Sequence, residues 1–392
     1  MRNYHIAKII QLLQYHKFMK RFSAKACLDA FFHYPHLGIR PDWYSFFSLV
    51  RKMSQTLFFY FCYTNFAYLN LSVALTQNHF LSKMRKIITI GESILDTIYQ
   101  NQQPVCSFIG GRVSNAAAAL GDLGLPVSMV SECCTDKVGD WVVDFFEKHH
   151  VDTKSIDRYT DGSTPLAAIF QEDGEPDKIV NYGLYPSNRF NVIWPRIDED
   201  DIVLFGSYYA IDMPQREKLF DLLSYAAERK AIVIYLPGFQ HGTQFNITKV
   251  MPNILENFEV SSIVIDHDKD INNMFPNQDS DTVYNNHIKF YGPTYVHITP
   301  GTSATIYKGV DKTEVPYSCD TANHLGWQAG FIAGVIHQLI KRDIKQHDIE
   351  TLNANTWQEI TATAFHFAAN CAQSPTSCLS QDFAKENSLI QE

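Results

Sequence analysis

The sequence predicts an α/β fold, in which a central, mostly parallel β-sheet is covered by helices on both faces. From residue 84 onward, short apolar runs alternate with amphipathic helical patterns, and this alternation is typical of βα units in a parallel sheet. The runs are almost continuously apolar, as expected of strands buried on both faces. Ligands of such sheets bind beyond the carboxyl ends of the strands, so polar residues that follow the runs are candidate site residues.

The strands are predicted where an apolar run ends in glycine, proline or a polar residue. "KIITIGE" (86–92) is the first and "PVSMVSE" (126–132) the second, and residues 165–183 contain two strands joined by a polar turn around Gly174. The remaining runs occupy residues 200–206, 231–238, 261–267 and 295–301.

The helices are predicted from apolar residues at helical spacing. An Ala-rich helix over 114–124 ends at Gly124, and a second, amphipathic helix occupies 139–150. Further helical patterns occupy residues 216–230, 253–258, 325–342 and 356–373.

The composition of the 392 residues is that of a globular protein, with 45% hydrophobic and 19% charged residues. The net charge of −9 disfavours a nucleic-acid-binding function. None of the eight cysteines belongs to a CxxC pair, so no zinc site is predicted. We expect reduced thiols and a cytoplasmic location, with the vicinal pair Cys133–Cys134 packed in the interior.

Residues 1–83 differ from the rest of the chain. They contain ten Lys or Arg and two Asp or Glu, a net charge of +8, and no helical or strand period persists in them. The uncharged run at 56–75 is long enough to span a bilayer, but it contains Asn65 and Asn70 and does not make a convincing membrane segment. The alternative, which we favour, is a mis-assigned start, with Met84 as the native first residue.

Several residues near the first strand are candidates for ligand binding. Gly110 and Gly111 form a Gly-Gly turn before the Ala-rich helix, where backbone is able to approach a ligand closely. Asn115 falls in the first turn of that helix, and Asp96 follows the first strand. Taken singly, each also fits an ordinary strand–helix connection or a capped turn.

Taken together, these segments resemble the ribokinase/PfkB family of carbohydrate kinases, from Met84 to about Ala384. "GESILDTIY" is similar to the family's first strand with its substrate-binding Asp, and "GGRVSN" to its GGxxxN signature. The resemblance implies that Asp96, Gly110, Gly111 and Asn115 bind a sugar.

Three further segments follow the family's order. "SECCTDKVGD" keeps Asp136 and Gly139 of the GxDxxG segment, residues 165–182 are similar to its lid strands, and residues 368–384 to its C-terminal helix and tail. The resemblance implies a ribokinase-like fold over 84–392, with a small β-sheet lid formed by about 97–108 and 165–182. It also implies transfer of the γ-phosphoryl of ATP to a sugar hydroxyl, with Mg²⁺.

The family's last motif, DTxGAGD, is altered here. In "DTANHLGWQAGF" (320–331), Asp320 and Thr321 are retained, as are Ala329, Gly330 and Phe331. The turn between them is one residue shorter and lacks the Gly-Ala-Gly sequence. That turn presents N–H groups at a helix N-terminus to the transferred phosphoryl group. Its three positions fall on Asn323, His324 and Leu325, and the catalytic base falls on Leu325 or Gly326, neither of which accepts a proton.

Three other segments also depart from the family on the nucleotide side. "LPGFQ" replaces the DPNFR-type strand end, with Leu236, Gly238 and Gln240. Lys269 in "IDHDKDI" aligns with the family's metal-linked Glu, and "TPGTSA" keeps Thr299 and Gly301 of the TxGxxG motif but ends in Ala304.

We therefore expect a PfkB-family homologue that has lost its catalytic base and serves as a sugar-binding or regulatory pseudokinase. The alternative is an active sugar kinase with a rearranged site, in which Asp320 is a displaced base. No protein ligands to a metal are assigned. The resemblance is compatible with a homodimer, or with a dimer formed with an active paralogue through the lid.

The leader gives a first prediction. A chain that starts at Met84 should be as soluble and as heat-stable as the full chain, because residues 1–83 offer no sustained amphipathic face to pack. Thermal denaturation of the two chains side by side measures this. Precipitation or a much lower Tm of the shorter chain would make the leader part of the fold.

Overall fold

A computed structural model describes residues 85–171, 178–238, 247–318, 326–374 and 378–389 of the chain. The predictions made for residues 1–84, Gln240, Asp320, Thr321, Asn323, His324 and Leu325 lie outside these described residues. The strands that it contains are β1 (Ile87–Ile90), β2 (Ile94–Gln100), β3 (Gln103–Gly110), β4 (Val127–Cys134), β5 (Val151–Tyr159), β6 (Ser163–Gln171), β7 (Lys178–Leu184), β8 (Ile202–Gly206), β9 (Ile232–Leu236), β10 (Ile263–His267), β11 (Thr294–Thr299), β12 (Ser303–Lys308) and β13 (Asp311–Pro316).

The helices alternate with the strands of the main sheet, as the sequence predicts. They are α1 (Arg112–Asp122), α2 (Lys137–Lys148), α3 (Arg216–Glu228), α4 (Ile247–Val260), α5 (Asp268–Met274), α6 (Ser280–Val283), α7 (Trp327–Lys341), α8 (Ala354–Gln373) and α9 (Gln381–Glu386).

The described strands form two sheets. The larger has the order β13-β12-β11-β10-β9-β8-β1-β4-β5, and its neighbours from β11 to β5 are all parallel. The smaller has the order β3-β2-β6-β7, with a parallel β2–β6 pair between two antiparallel pairs. The predicted α/β architecture with a mostly parallel central sheet and a small second sheet is confirmed.

Alternate residues of the central strands enter two separate cores, because successive side chains of a strand point to opposite faces. Ile87 belongs to the core formed with α1, α2, α7 and α8, whereas Ile88 belongs to the core formed with α3 and α4. Both side chains are at most 1% exposed. This two-sided burial explains why the strands are almost continuously apolar in sequence.

Small residues bring three helices close to their neighbours. The four alanines of α1, at positions 116–119, are fully buried, and every residue from Val113 to Gly121 is buried. On α7, a β-carbon added at Gly334 would lie 2.6 Å from Ala364 Cα of α8, and one at Gly330 would lie 2.6 Å from the Phe367 carbonyl oxygen. Gly330, which the family resemblance retains, is therefore required for the packing of α7 on α8.

The strand predictions missed three elements. β5 was not predicted, because residues 151–159 have only Val151, Ile156 and Tyr159 as apolar residues and contain no apolar run. β12 and β13 were also missed, and they run antiparallel to their neighbours. β13 and β5 are the two edges of the sheet, and both lack the continuous apolar run that marks the central strands.

Within the described ranges, no helix is long and apolar enough to cross a membrane.

A buried ion-pair network next to the small sheet gives a stability prediction. Arg189 contacts Glu132 Oε2 at 2.9 Å and Asp212 Oδ2 at 2.7 Å, and the side chains of Arg189 and Glu132 are 4% and 0% exposed. Arg189→Met should lower the free energy of unfolding by about 3–5 kcal/mol, because Glu132 keeps a buried charge without its partner. Urea denaturation followed by circular dichroism measures the change.

Arg196→Met is the matched control for Arg189→Met. Arg196 also pairs with a carboxylate, Asp198, at 2.9 Å, but its side chain is 83% exposed. Exposed pairs contribute about 0–1 kcal/mol, so this variant should unfold close to the wild type. Equal losses in the two variants would contradict the role of burial.

Candidate functional site

The residues predicted to bind a ligand converge where β2, β3 and the start of α1 meet. Ile94 pairs with Gly110 and Asp96 with Phe108 in the antiparallel β2–β3 register. Gly111 is the N-cap of α1, and Asn115 is the fourth residue of that helix. We call this group of residues, namely Asp96, Gly110, Gly111 and Asn115 together with Glu92, the acidic recess.

Gly110 is required because it lies directly under the Asp96 carboxylate. A β-carbon at position 110 would lie 1.8 Å from Asp96 Oδ2 and 2.5 Å from Asp96 Cγ. Any larger residue would therefore displace the carboxylate from the recess.

Gly111 is required for a different reason. Its φ of +108° is a conformation that L side chains rarely adopt, and a β-carbon there would lie 2.5 Å from the Glu92 carbonyl oxygen. The same carbonyl accepts a hydrogen bond from Ser114 Oγ at 2.6 Å. The end of β1 and the start of α1 are thus joined at a single turn.

Asn115 carries an unsatisfied acceptor in the first turn of α1. Its side chain is 8% exposed, and Asn115 Oδ1 accepts no hydrogen bond from the described residues. An unpaired buried acceptor costs about 1–3 kcal/mol, so a donor from a ligand would be stabilised here.

The carboxyl groups of Asp96 and Glu92 influence each other. Burial, and then the negative charge of Glu92, raise the pKa of Asp96 to about 7. Burial also raises the pKa of Glu92, against hydrogen bonds from its own and the Tyr209 backbone and the charge of Arg112, which lower it. At neutral pH the recess therefore binds or releases a proton readily.

Glu92 was not selected by the sequence reasoning, although it belongs to the quoted "GESILD". Its Oε2 accepts a hydrogen bond from Tyr209 N at 3.4 Å, so it contacts the turn that follows β8. Its position directly after the Gly91 that ends the first apolar run is the signal that could have identified it.

Arg112 connects the start of α1 to the residues that follow β9 and β10. The sequence reasoning also missed this residue. Its Nη1 donates to the Pro237 carbonyl at 2.6 Å and to Asp270 Oδ2 at 3.0 Å, and its Nη2 donates to Asp270 Oδ1 at 3.3 Å. It occupies a variable position of GGxxxN, so the motif alone gave no reason to select it. Its charge is compensated by Asp270, outside the recess.

Asp136 and Gly139, which the family segment retains, join the main sheet to the small one. Asp136 caps α2 by accepting from Gly139 N at 2.8 Å, and its carboxylate also accepts from Thr164 N and Thr164 Oγ1 of β6 at 2.8 and 2.6 Å. These contacts give the segment a structural role.

On the predicted nucleotide side, Thr299 and Gly301 belong to the turn between β11 and β12. Thr302 N donates to the Thr299 carbonyl at 3.1 Å, and Gly301 has a φ of +76°. Pro300 and Gly301 thus occupy the second and third positions of a turn that requires positive φ. Gly326, the remaining described residue of this group, is the N-cap of α7 with a φ of +85°.

Lys269, which aligns with the family's metal-linked Glu, lies on the first turn of α5. Its side chain is exposed, whereas the next acidic residue, Asp270, is 3% exposed and pairs with Arg112.

The described carboxylates at this edge do not fit Mg²⁺. Mg²⁺ uses one or two free carboxylates together with water and phosphate oxygens. Asp270 is paired with Arg112, and Asp266 accepts hydrogen bonds from Tyr295 and from His297 at 2.8–3.0 Å. No group of three His, Cys, Asp or Glu able to hold a metal occurs among the described residues, and we derive no step through the ion.

Comparison with known proteins was consistent with this geometry. The sequence profile described as pfkB family carbohydrate kinase matches residues 84–374, which is well over half of the chain.

Individual relatives are distant. A protein of Pyrococcus horikoshii named as a sugar kinase is 24% identical over 145 residues, 35% of this chain and 47% of its own length. A 5-dehydro-2-deoxygluconokinase of Clostridium botulinum is 29% identical over 139 residues, 33% of this chain and 39% of its length. The chain thus spans less than half the length of these curated relatives.

Solved structures share the fold. The aminoimidazole riboside kinase of Salmonella enterica, solved with aminoimidazole riboside and an ATP analogue, has a TM-score of 0.64 and 16% identity, and the match covers 77% of this chain and 99% of that one.

The raised pKa of Asp96 predicts how stability depends on pH. Between about pH 4 and pH 7 the folded chain keeps a proton on Asp96 that the unfolded chain has lost, so this group's contribution to stability falls as pH rises. Relative to Asp96→Asn, the wild type should lose free energy of unfolding between pH 4.5 and pH 7.5. Urea denaturation at four pH values measures this difference.

Asp279→Asn is the control for Asp96→Asn. Hydrogen bonds from Thr282 lower the pKa of Asp279, so its contribution is lost only as pH falls below the ordinary aspartate range. The difference between wild type and this variant should stay constant from pH 5.5 to pH 7.5. A flat difference for Asp96→Asn as well would contradict a proton held in the recess.

Proposed function

We propose a function from one premise: the chain belongs to the pfkB family of carbohydrate kinases. It binds a sugar in the acidic recess and transfers the γ-phosphoryl group of ATP slowly or not at all, so that it acts as a sugar-binding or regulatory pseudokinase. The observation that carries sugar binding is the convergence of Asp96, Gly110, Gly111 and the unpaired Asn115 Oδ1 at one turn.

The recess residues account for recognition of hydroxyl groups. Asp96 and Glu92 accept hydrogen bonds from sugar hydroxyls when ionised, and Asn115 offers a further acceptor. Gly110 lets the turn lie against the Asp96 carboxylate, and Gly111 lets it lie against the Glu92 backbone carbonyl.

The sequence at 320–331 supports weak catalysis. Phosphoryl transfer depends on positioning and charge stabilisation, and the family supplies these through the Gly-Ala-Gly N–H groups and the following Asp. Here the base position is Leu325 or Gly326. Loss of a general base costs about 10²–10⁴ in rate, and loss of anion-hole donors about 10²–10³.

ATP and Mg²⁺ are the cofactors expected from the family, and bound ATP analogue in the Salmonella enterica relative supports a nucleotide site on this fold. The residues of this chain proposed on the nucleotide side are Thr299, Gly301, Asp320, Thr321, Asn323, His324 and Gly326.

The alternative is an active sugar kinase with a rearranged site. It is favoured by the retention of Asp320, a carboxylate six residues before the usual base. It requires that this side chain reach the attacking hydroxyl.

The small sheet is proposed as the dimer surface, with a second copy or an active paralogue as partner. Its strands expose apolar side chains, namely Val105 (56%), Leu166 (37%), Tyr182 (57%) and Leu184 (64%). Sedimentation equilibrium of the full chain tests self-association.

The decisive experiment measures sugar binding and ATP turnover separately. Calorimetric titration should detect a sugar from a panel, and Asn115→Ala should weaken its binding by about 1–3 kcal/mol, since buried polar groups lose their partner. Sugar-dependent ATP turnover should be absent or at least about 10³-fold below that of an active relative, from the combined losses.

The variant Gly326→Asp tests whether the missing base alone accounts for the low turnover. It restores a carboxylate but not the anion hole, so it should not restore turnover. Robust turnover by the unaltered chain would support the alternative and contradict the pseudokinase. Failure of every sugar to bind would contradict the role of the recess.

A further inference from the structure

We propose that Cys371 and Cys378 are a redox-sensitive pair, in which a peroxide oxidises the Cys378 sulfur and Cys371 then forms a disulfide with it. The pair lies where the end of α8 meets the tail that contains α9. In the structure both residues are free thiols. The inference adds a modification site and does not depend on the proposed sugar-binding function.

Two hydrogen bonds join the residues that flank the two cysteines. Ser380 N donates to Asn370 Oδ1 at 2.8 Å, and Asn370 Nδ2 donates to Ser380 Oγ at 3.1 Å. Cys371 directly follows Asn370, and Cys378 lies two residues before Ser380. The two hydrogen bonds therefore hold the chain on either side of the pair at one place.

The two cysteines share a buried environment. Cys371 is 0% exposed and Cys378 is 1% exposed. Burial, and then the interaction with Cys378, raise the pKa of the Cys371 thiol. Because both sulfurs are buried, a small oxidant such as hydrogen peroxide reaches them more readily than a bulky one, through local opening of the chain.

A histidine and an aspartate distinguish Cys378 from the other buried cysteines. His149 is the C-cap of α2, and its Nδ1 donates to Oδ1 of Asp122, the last residue of α1, at 2.8 Å. Burial lowers the pKa of His149, but hydrogen bonds with Asp122 and then with Cys378 raise it to about 10. At neutral pH His149 is therefore a cation that is hydrogen-bonded to both a carboxylate and a sulfur.

An imidazolium next to a cysteine is the setting of reactive cysteines, because it stabilises negative charge on the attacking sulfur. In the first step the Cys378 sulfur bonds to one peroxide oxygen, the O–O bond breaks, and the leaving hydroxide takes the thiol proton to become water. In the second step the Cys371 sulfur attacks the sulfenic acid, the S–S bond forms, and the S–O bond breaks. The hydroxyl leaves with the Cys371 proton as a second water, so two thiols lose two electrons and one peroxide gains them.

The vicinal pair Cys133–Cys134 provides a contrast within the same chain. Cys133 Sγ donates to the Gly139 carbonyl at 3.8 Å, and Cys134 Sγ donates to the Gly162 carbonyl at 3.5 Å. Burial raises the pKa of Cys133 to about 12. Both residues thus serve as thiol donors, and we expect them to stay reduced under conditions that oxidise Cys378.

The position of Cys371 connects the pair to α7. A β-carbon added at Gly330, in the first turn of α7, would lie 2.9 Å from the Cys371 Cβ. The disulfide would therefore tie the tail with α9 to α8 at the point where α8 packs on the start of α7.

The test treats the folded full chain with hydrogen peroxide, then unfolds it, alkylates the remaining thiols with iodoacetamide and measures tryptic peptides by mass spectrometry. Residues 346–385 form one tryptic peptide, whose cysteines are Cys371 and Cys378. This peptide should lose two hydrogens and carry no alkyl group, and reduction with dithiothreitol before alkylation should restore both alkylation sites. The peptide that contains Cys133 and Cys134, residues 113–137, should remain alkylated at both cysteines.

Two variants separate the attacking thiol from the resolving one. In Cys371→Ser the sulfenic acid on Cys378 has no partner, so dimedone should label Cys378. In Cys378→Ser dimedone should label Cys371 at least about 10-fold less, because Cys371 lacks the contact with His149.

His149→Gln tests the role of the imidazolium. It should slow the oxidation of Cys378 about 10-fold, because the positive charge next to the sulfur is lost. His347→Gln is the matched control, since it makes the same change at a side chain that is 77% exposed, and it should oxidise at the wild-type rate.

The mass measurement uses the wild type and does not depend on the folding of any variant. A peptide 346–385 that stays fully alkylated after peroxide treatment would overturn the inference. Oxidation of Cys133 and Cys134 to the same extent, or dimedone labelling of Cys371 in preference to Cys378, would also contradict it.

Discussion

The close contact of the Gly110–Gly111 turn with Asp96 and Glu92 is the constraint on which the rest of the candidate site depends. Because a β-carbon at Gly110 would collide with the Asp96 carboxylate, and one at Gly111 with the Glu92 carbonyl, the turn can lie against both acids only as glycine. The direction of α1 follows from this turn. Asn115 N thereby donates to the Gly111 carbonyl at 2.9 Å, and Arg112 pairs with Asp270.

The chain compensates two of its acids, Glu132 and Asp96, to different extents. Glu132 is fully compensated, by Arg189, by the Phe190 N–H at 2.7 Å and by the Tyr209 hydroxyl at 3.0 Å, as expected of a group that stabilises the fold. Asp96, by contrast, has a raised pKa and no hydrogen-bonded partner among the described residues. Perturbed groups of this second kind are more often functional.

Several residues that fit the family pattern have structural reasons of their own. Gly330 lets α7 pack on α8, Gly301 forms the β11–β12 turn, and Asp136 caps α2 while it holds β6. Their retention therefore supports the fold and says little about catalysis. Whether the chain catalyses phosphoryl transfer depends on fewer positions, above all residues 320–326. Turnover measurements distinguish the pseudokinase from the active kinase.

The sequence by itself determined the α/β class, the central strands and the glycine turn, because two-sided burial and positive φ each leave a local signature in residue type. Only the tertiary structure revealed β5, the antiparallel strands β12 and β13, the pairing of Arg112 with Asp270 and the action of Glu92 on Asp96. These features join residues far apart in the chain. Contacts, charge compensation and pKa depend on such neighbours, and no local pattern records them.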